Sequence, residues 1–297
     1  MIRRKDRSGR AMGGKTTGGK GAGGKAVSRI PAILRGIRPE VALSFMPDGG
    51  DTLIASYNVH KGVGFDRRFD PARIISVIRE MNADVVALQE ASGRFGERES
   101  LLDLDRLEHE CGLVPVPVSG PNGQHGWHGN LILFREGTVS AARQLSLPGV
   151  EPRGAVVIDL TLSAGPLRII AAHLGLLRNS RAKQVETLLG EAQAHDERPT
   201  LLMGDLNEWR LGRRSALNGL APKFGPLHAT LPSFPSRFPM LALDRVLGKP
   251  HDLICGVELH DTPLARVASD HLPIKASIRL AAVAPEVAGG SRDNAAA

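Results

Sequence analysis

Cysteine is scarce in this 297-residue chain: Cys111 and Cys255 lie far apart, with neither CxxC spacing nor a His-rich neighbour. That excludes a disulfide framework or thiolate zinc site and predicts two reduced thiols. Long apolar runs are missing too. No stretch approaches the ~20 residues a spanning helix needs, and Arg3-Arg4 leads into no signal-peptide core, so the expected address is the cytoplasm. No internal period marks a repeat protein. Acidic residues are nearly absent from the first 30 positions, where Asp6 alone stands against nine lysines and arginines. The same segment holds eight glycines and no aromatic. Such a composition buries too little surface to offset the entropy of ordering, so residues 1–30 are expected to form a disordered basic tail. Residues 31–50 read as a connecting segment, and the small-residue stretch 282–297 as a flexible end.

What is present is a globular body. The formal charge is +7; the tail contributes +8 of it, which leaves −1 for the other 267 residues. The body therefore need not be a basic platform. The tail suits phosphate backbones and anionic lipid headgroups equally. With 42% hydrophobic residues the body can bury a real core, and a single domain over 51–281, monomeric, is expected. Within the tail, Gly9 to Thr16 fits the phosphate-loop pattern GxxxxGK[ST]. That loop needs a hydrophobic strand before it and a helix after it. Neither flank exists here, and a chance match in a Gly/Lys-rich tract is the better reading.

From Asp51 the chain changes to short apolar runs separated by turns. "TLIASYNVH", "ADVVALQE", "LVPVPV", "NLILFR", "GAVVIDLTL", "PLRIIAAHL", "PTLLMGDLN", "ALDRVL", "DLICGVEL" and "LPIKASIRL" read as strands. "DPARIISVIREMN" reads as a helix with Asp70 as N-cap and Pro71 in its first turn. Further helices are expected over roughly 99–110 and 179–193 from their apolar spacing, the latter with Val185, Leu188 and Leu189 on one face. The pattern predicts an α/β fold of two packed sheets with helices outside.

The strands end in an unusual set of polar residues: Asn58, Glu90, His173, Asp205 with Asn207, Asp244, and Asp270-His271. Each alone has a simpler reading: a turn former, a helix cap, a satisfied core histidine, an Asx turn. Those readings do not account for the repetition. Carboxylates and amide oxygens without thiolates suit Mg²⁺ or Mn²⁺, while imidazoles and a carboxamide supply donors to phosphoryl oxygens and partners for an attacking water. Together they describe metal-assisted phosphoester hydrolysis.

The ordered series "SYNVH", "LQE", "HGNLILFR", "RGAVV", "AAHLGL", "GDLNE", "LDRV" and "SDHLPI" resembles the motifs of the endonuclease/exonuclease/phosphatase superfamily over roughly residues 50–280. The resemblance implies a four-layered α/β sandwich, two central β-sheets flanked by helices, with the active site at one end of the sheets. It implies that Glu90 is the principal metal ligand with Asn58 beside it and Asp270 on the metal side. Asp205 and Asn207 would orient the water and the scissile phosphate from one side of an extended chain. His271, oriented by Asp244, would contact the phosphate or transfer a proton. His173 would bind a non-bridging oxygen or protonate the leaving group. Arg153 and the pair Arg181 and Gln184 match weaker positions, with an ordinary surface arginine as the alternative; of these, Arg153 is a candidate phosphate contact. Tyr57, the sole tyrosine, is expected to pack.

Substrate is set by loops rather than by this core. Where abasic-site endonucleases carry a tyrosine this chain has His173, as do relatives of pancreatic deoxyribonuclease, sphingomyelinase and the inositol phosphatases. The inositol-phosphatase pattern has Tyr-Arg after its GDxN and Trp-Cys before its DR; here Glu208-Trp209 and Ala242-Leu243 stand instead. "SFPSRFPMLALDRV" is a candidate apolar lip that stacks a base, rests on lipid, or simply packs. The reading is a phosphodiesterase with nucleic acid ahead of phospholipid, the other class being a non-catalytic scaffold that binds polyanions through its tail.

Overall fold

The computed structural model describes residues 50–91, 101–118, 125–193, 198–210, 212–225, 227 and 231–280. The expected basic tail, the phosphate-loop match at 9–16 and the C-terminal stretch lie outside the described residues. The first sheet has six strands in the order β10-β11-β1-β2-β4-β3. These are β1 (Thr52–Asn58), β2 (Val85–Gln89), β3 (Val114–Pro115), β4 (Leu131–Phe134), β10 (Ile254–Leu259) and β11 (Ile274–Ile278). The second sheet runs β5-β6-β7-β8-β9, from β5 (Thr138–Leu147), β6 (Arg153–Leu162), β7 (Gly165–His173), β8 (Thr200–Asp205) and β9 (Asp244–Lys249).

Each sheet has one parallel pair at its centre with antiparallel neighbours on both sides: β1 with β2 in the first, β7 with β8 in the second. A parallel pair needs a crossover, usually helical, and α1 (Pro71–Met81) and α3 (Arg178–Gln193) supply it. Asp70 caps α1 by accepting from the Arg73 N–H, with Pro71 in the first turn and Asn82 closing the helix in the left-handed conformation. In α3, Val185 and Leu188 are buried and Leu189 packs against the same core.

Four layers result. Between the sheets lies one core containing Ile54, Ala87, Ile158, Ile169, Met203 and Ala276. Outside the first sheet, α1, α2 (Leu104–Cys111) and α5 (Ala265–Ala268) bury Ile74, Ile78, Leu107 and Ala265 against Tyr57 and Leu88. Outside the second, α3 and α4 (Ala221–Phe224) cover Val157, Ile170 and Leu202. Tyr57 packs with no exposure, and Cys111 and Cys255 are free thiols. Among the described residues no helix is long and apolar enough to cross a membrane.

Several expected elements move. "LVPVPV" pairs as a strand only at Val114 and Pro115, because Pro115 and Pro117 have no N–H to donate. The helix expected from residue 99 starts at Leu104, where Asp103 caps it. Strand β5 had no expectation at all. It is an edge strand of mixed burial, with Ser140 and Ser146 outward among Ala141, Arg143 and Gln144, so neither alternation nor an apolar run marks it.

Candidate active site

The carboxyl ends of both parallel pairs point to the same end of the sandwich, the usual place for a ligand in a parallel α/β sheet. Register sets the first contact: His173 is the residue opposite Asp205 across β7 and β8. Gly204 lets the strands approach. Its φ is +138°, and a Cβ there would lie 1.9 Å from the Ala172 carbonyl oxygen.

Asp205 is the hub. Its Oδ2 accepts from Asn58 Nδ2 at 3.0 Å, which joins the two sheets. His173 Nε2 stands 3.4 Å from the same oxygen and His271 Nε2 3.8 Å. The other oxygen, Oδ1, accepts from the Asn207 backbone N–H at 3.0 Å. All four side chains are buried. The extended-chain placement expected for Asp205 and Asn207 does not occur. Asn207 is left-handed, with φ 51°, because the chain turns back on Asp205 at once, and its Nδ2 donates to the Leu174 carbonyl. The Asx turn is what brings both residues to one place.

Behind His271, Asp244 Oδ2 lies 2.8 Å from Nδ1 and also accepts from the Ser233 hydroxyl. This fixes the tautomer: Nδ1–H donates to Asp244, so Nε2 faces Asp205. Burial opposes a charge on His271, but the adjacent Asp244, then Asp205 and Asp270, push its pKa up to about 10. His173 goes the other way. Burial, aided by Arg153, His271 and Lys61 against the pull of Asp205, pushes it down to about 4. One imidazolium and one neutral imidazole thus flank a single carboxylate.

Arg153, the candidate phosphate contact, is occupied within the protein. Its Nε donates to Glu151 at 3.2 Å and its Nη1 lies 2.9 Å from His173. Glu151 also accepts from the Leu176 N–H, tying the loop after β7 to the start of β6. Arg181 and Gln184 depart further from the surface alternative: both are fully buried. Arg181 donates to the carbonyls of Gly175 and Leu176 and to Glu208, and Gln184 accepts from the Gly175 N–H. Glu208 accepts in turn from the Arg210 and Ala216 N–H groups. This network holds the loops that carry His173 and Asn207.

On the other sheet, Glu90 follows β2 in a left-handed conformation, φ 55°, a cost of roughly 1 kcal/mol or more for such a residue and one concentrated at functional sites. Asn58 Oδ1 accepts from the His60 N–H at 3.0 Å and retains a second lone pair. His60 Nδ1 lies 3.6 Å from Asp270 Oδ1, and Ser269 Oγ donates to the Asn58 carbonyl. Burial, with Glu90 nearby, pushes the Asp270 carboxyl above the usual range against the pull of His271 and His60. Two carboxylates beside an amide oxygen, without a thiolate, fit a hard divalent cation. Among the described residues no group of three or more His, Cys, Asp or Glu gathers to hold a metal. Two carboxylates and an amide match instead an ion that keeps several waters and completes its shell with substrate.

His60, Ser233, Ser269, Glu208 and the burial of Arg181 had no functional expectation. His60 is visible in "SYNVH", but only the fold sets it beside Asp270. Nothing local distinguishes Ser233.

Comparison with known proteins points to one family. Residues 55–271 match the Endonuclease/Exonuclease/phosphatase family. YbhP of Escherichia coli (strain K12), itself uncharacterized, is 30% identical over 245 residues, covering 76% of this chain and 96% of its own. Among solved structures, an endonuclease/exonuclease/phosphatase from Beutenbergia cavernae superposes with TM-score 0.60 at 22% identity, over 78% of this chain and 72% of that one. TDP2 of D. rerio, complexed with single strand DNA product, gives 0.54 at 17% over 76% and 97%. The mannosyl-6-phosphatase Bt3783 of Bacteroides thetaiotaomicron gives 0.53 at 16% over 76% and 98%. At these identities the structural likeness is one of fold.

Proposed function

The chain belongs to the endonuclease/exonuclease/phosphatase family and is a phosphoesterase of that family; from this premise we propose that it is a divalent-metal-dependent phosphodiesterase acting on nucleic acid. The observation that carries the chemistry is the Asp205 carboxylate, held by Asn58 and the Asn207 N–H between two histidines of opposite charge state. Asp205 is placed to take the proton of an attacking water. His271, kept charged by Asp244, presents Nε2–H to a phosphoryl oxygen where negative charge develops. His173, kept neutral, lies on the other side of the carboxylate, where its ring N–H can donate a hydrogen bond to a non-bridging oxygen. Asn58, Glu90 and Asp270 would hold the ion, which when bound supplies charge neutralisation and orientation at the phosphoryl group.

The fold hosts both a DNA-bound TDP2 and a sugar phosphatase, so fold alone leaves diester and monoester open. The surface beside Asn207 favours a polyanion. Trp209 is exposed there with Arg210 stacked 4.6 Å from its ring centre. Arg178, Arg213 and Arg214 are exposed close by, Arg178 Nε donating to the Arg214 carbonyl. Arginines around a stackable ring are what a phosphate-linked chain of bases needs.

The test is Mg²⁺-dependent nicking of supercoiled plasmid by the wild type beside an identically purified Asp205→Asn variant, with EDTA as control. Nicking by the wild type alone, abolished by EDTA, is expected. An intact plasmid, with a generic phosphodiester still cleaved by the wild type alone, would move the substrate to phospholipid headgroups.

A further inference from the structure

A groove of about 570 Å³ opens beside the Asp270 side of the site, within the size range of small-ligand pockets. It is lined by Phe65 and Asp66 from the loop after β1, Arg237 and Phe238 from the lip, and Pro263, Arg266 and Val267 around α5. Each of these segments also carries a residue of the active site. The first includes His60. The second includes Ser233 and Phe234, whose ring lies 4.9 Å from that of His271. The third runs directly into Ser269, Asp270 and His271. Backbone bonds lock the three together: the Phe65 N–H donates to the Val267 carbonyl at 3.0 Å and the Ser236 N–H to the Asp270 carbonyl at 2.7 Å. The groove is thus tied through the backbone to the segments that carry His60, Ser233 and Asp270.

Its chemistry is specific. Phe238 is 67% exposed and Phe65 39%, large values for aromatics in a chain that has so few. The Arg237 guanidinium lies 5.8 Å from one ring centre and 5.9 Å from the other. Arg266, whose Nη1 donates to the Arg237 carbonyl, is neutralised by Asp261 at 2.5 and 2.7 Å. Among the described residues no hydrogen bond or ion pair engages the Arg237 side chain. Two flat rings with an unneutralised cation between them complement a π-face joined to an anion. An acyl chain could lie on the same rings, but it offers no π-face to stack and no anion for the guanidinium.

We propose that this groove is the subsite for the nucleobase next to the scissile phosphate, stacked on Phe238 and Phe65, with Arg237 on the adjoining backbone phosphate. The assignment rests on the nucleic-acid reading of the site and adds where the strand runs: from the Asp205 hub, past Asp270, onto the lip.

Two soluble diesters sharing one leaving group test it with the full-length protein and Mg²⁺: thymidine 5′-(p-nitrophenyl phosphate) and methyl p-nitrophenyl phosphate. The wild type is expected to favour the nucleoside ester in kcat/KM. Phe238→Ala and Phe238→Leu should each reduce that preference roughly tenfold, the scale of one base–aromatic stack, while Phe238→Tyr retains it. An equal preference in Phe238→Ala, or none in the wild type, overturns the subsite. A preference kept by Phe238→Leu means an apolar rather than a stacking contact and overturns the nucleobase. If neither diester is cleaved while p-nitrophenyl phosphate is, the diesterase reading itself fails, and the subsite with it.

Discussion

At Gly204 a single hydrogen atom allows the site to close. A methyl group there would meet the Ala172 carbonyl oxygen at 1.9 Å in a backbone conformation that L-residues avoid, and His173 and Asp205 would be driven apart. Gly204→Ala should destabilise the domain by roughly 3 kcal/mol, read by urea unfolding; a loss under about 1 kcal/mol would mean the strand pair relaxes. Asp244 acts on substrate only through His271, and Asn can still accept the Nδ1 hydrogen bond. Asp244→Asn should therefore fold normally while kcat falls on the order of 10²-fold, measured on a p-nitrophenyl diester. Glu90→Gln keeps the shape and removes the charge beside Asp270. The Mg²⁺ concentration for half-maximal rate should rise at least roughly tenfold with unchanged circular dichroism; a wild-type Mg²⁺ response would take Glu90 out of the metal site. The strand-end acids and imidazoles were legible in sequence because they interrupt apolar runs. Ser233 and Ser269 were not, since a serine in a loop has no pattern until the loop is folded onto Asp244 and Asn58.

Between residues and the whole lie the two crossover units, β1-α1-β2 and β7-α3-β8, which deliver the candidate catalytic groups at equivalent ends. In the second, the site loops rest on a fully buried pair, Arg181 with Glu208. Arg181→Met would leave Glu208 only the more exposed Arg210, 3.7 Å away, at a cost of roughly 3 kcal/mol, checked by chemical denaturation, with kcat reduced because the loop bearing Asn207 loses its anchor. A second buried pair joins β6 to β7, Arg168 donating to Asp159 at 2.6 and 2.9 Å. Burial opposes the Asp159 charge, but Arg168 overrides it and holds the carboxyl below its ordinary range. The unfolded chain therefore binds this proton more readily. The pair's contribution is complete above the unfolded carboxyl pKa of about 3.9 and is lost as pH falls through the lower, folded value. Asp159→Asn should lower stability at pH 7 and flatten its decline below about pH 4, followed by thermal unfolding across pH. Sequence periodicity located α1, α3 and most strands because each has a single buried face or two. It missed β5, half-exposed at a sheet edge, and overextended "LVPVPV", where proline overrides apolar character.

For the molecule as a whole, a charge of +8 is carried by residues 1–30, which lie outside the described residues. Deleting those residues should leave turnover of a small soluble diester unchanged while weakening binding to DNA and flattening its salt dependence, by roughly 0.9 in log–log slope for each phosphate the tail no longer neutralises. Collapse of small-substrate turnover would instead make the tail part of the site. The sequence by itself determined the family, the two-sheet α/β class and the candidate set Asn58, Glu90, Asp205, Asn207, Asp244, Asp270 and His271, because hard ligands at the ends of apolar runs are a local pattern that survives without coordinates. Only the tertiary structure decided the opposite pKa directions of His173 and His271, the burial of Arg181 and Gln184, and the groove between Phe65 and Phe238. Each depends on which groups from distant segments meet and how much water is left between them, and neither proximity nor desolvation is written along the chain.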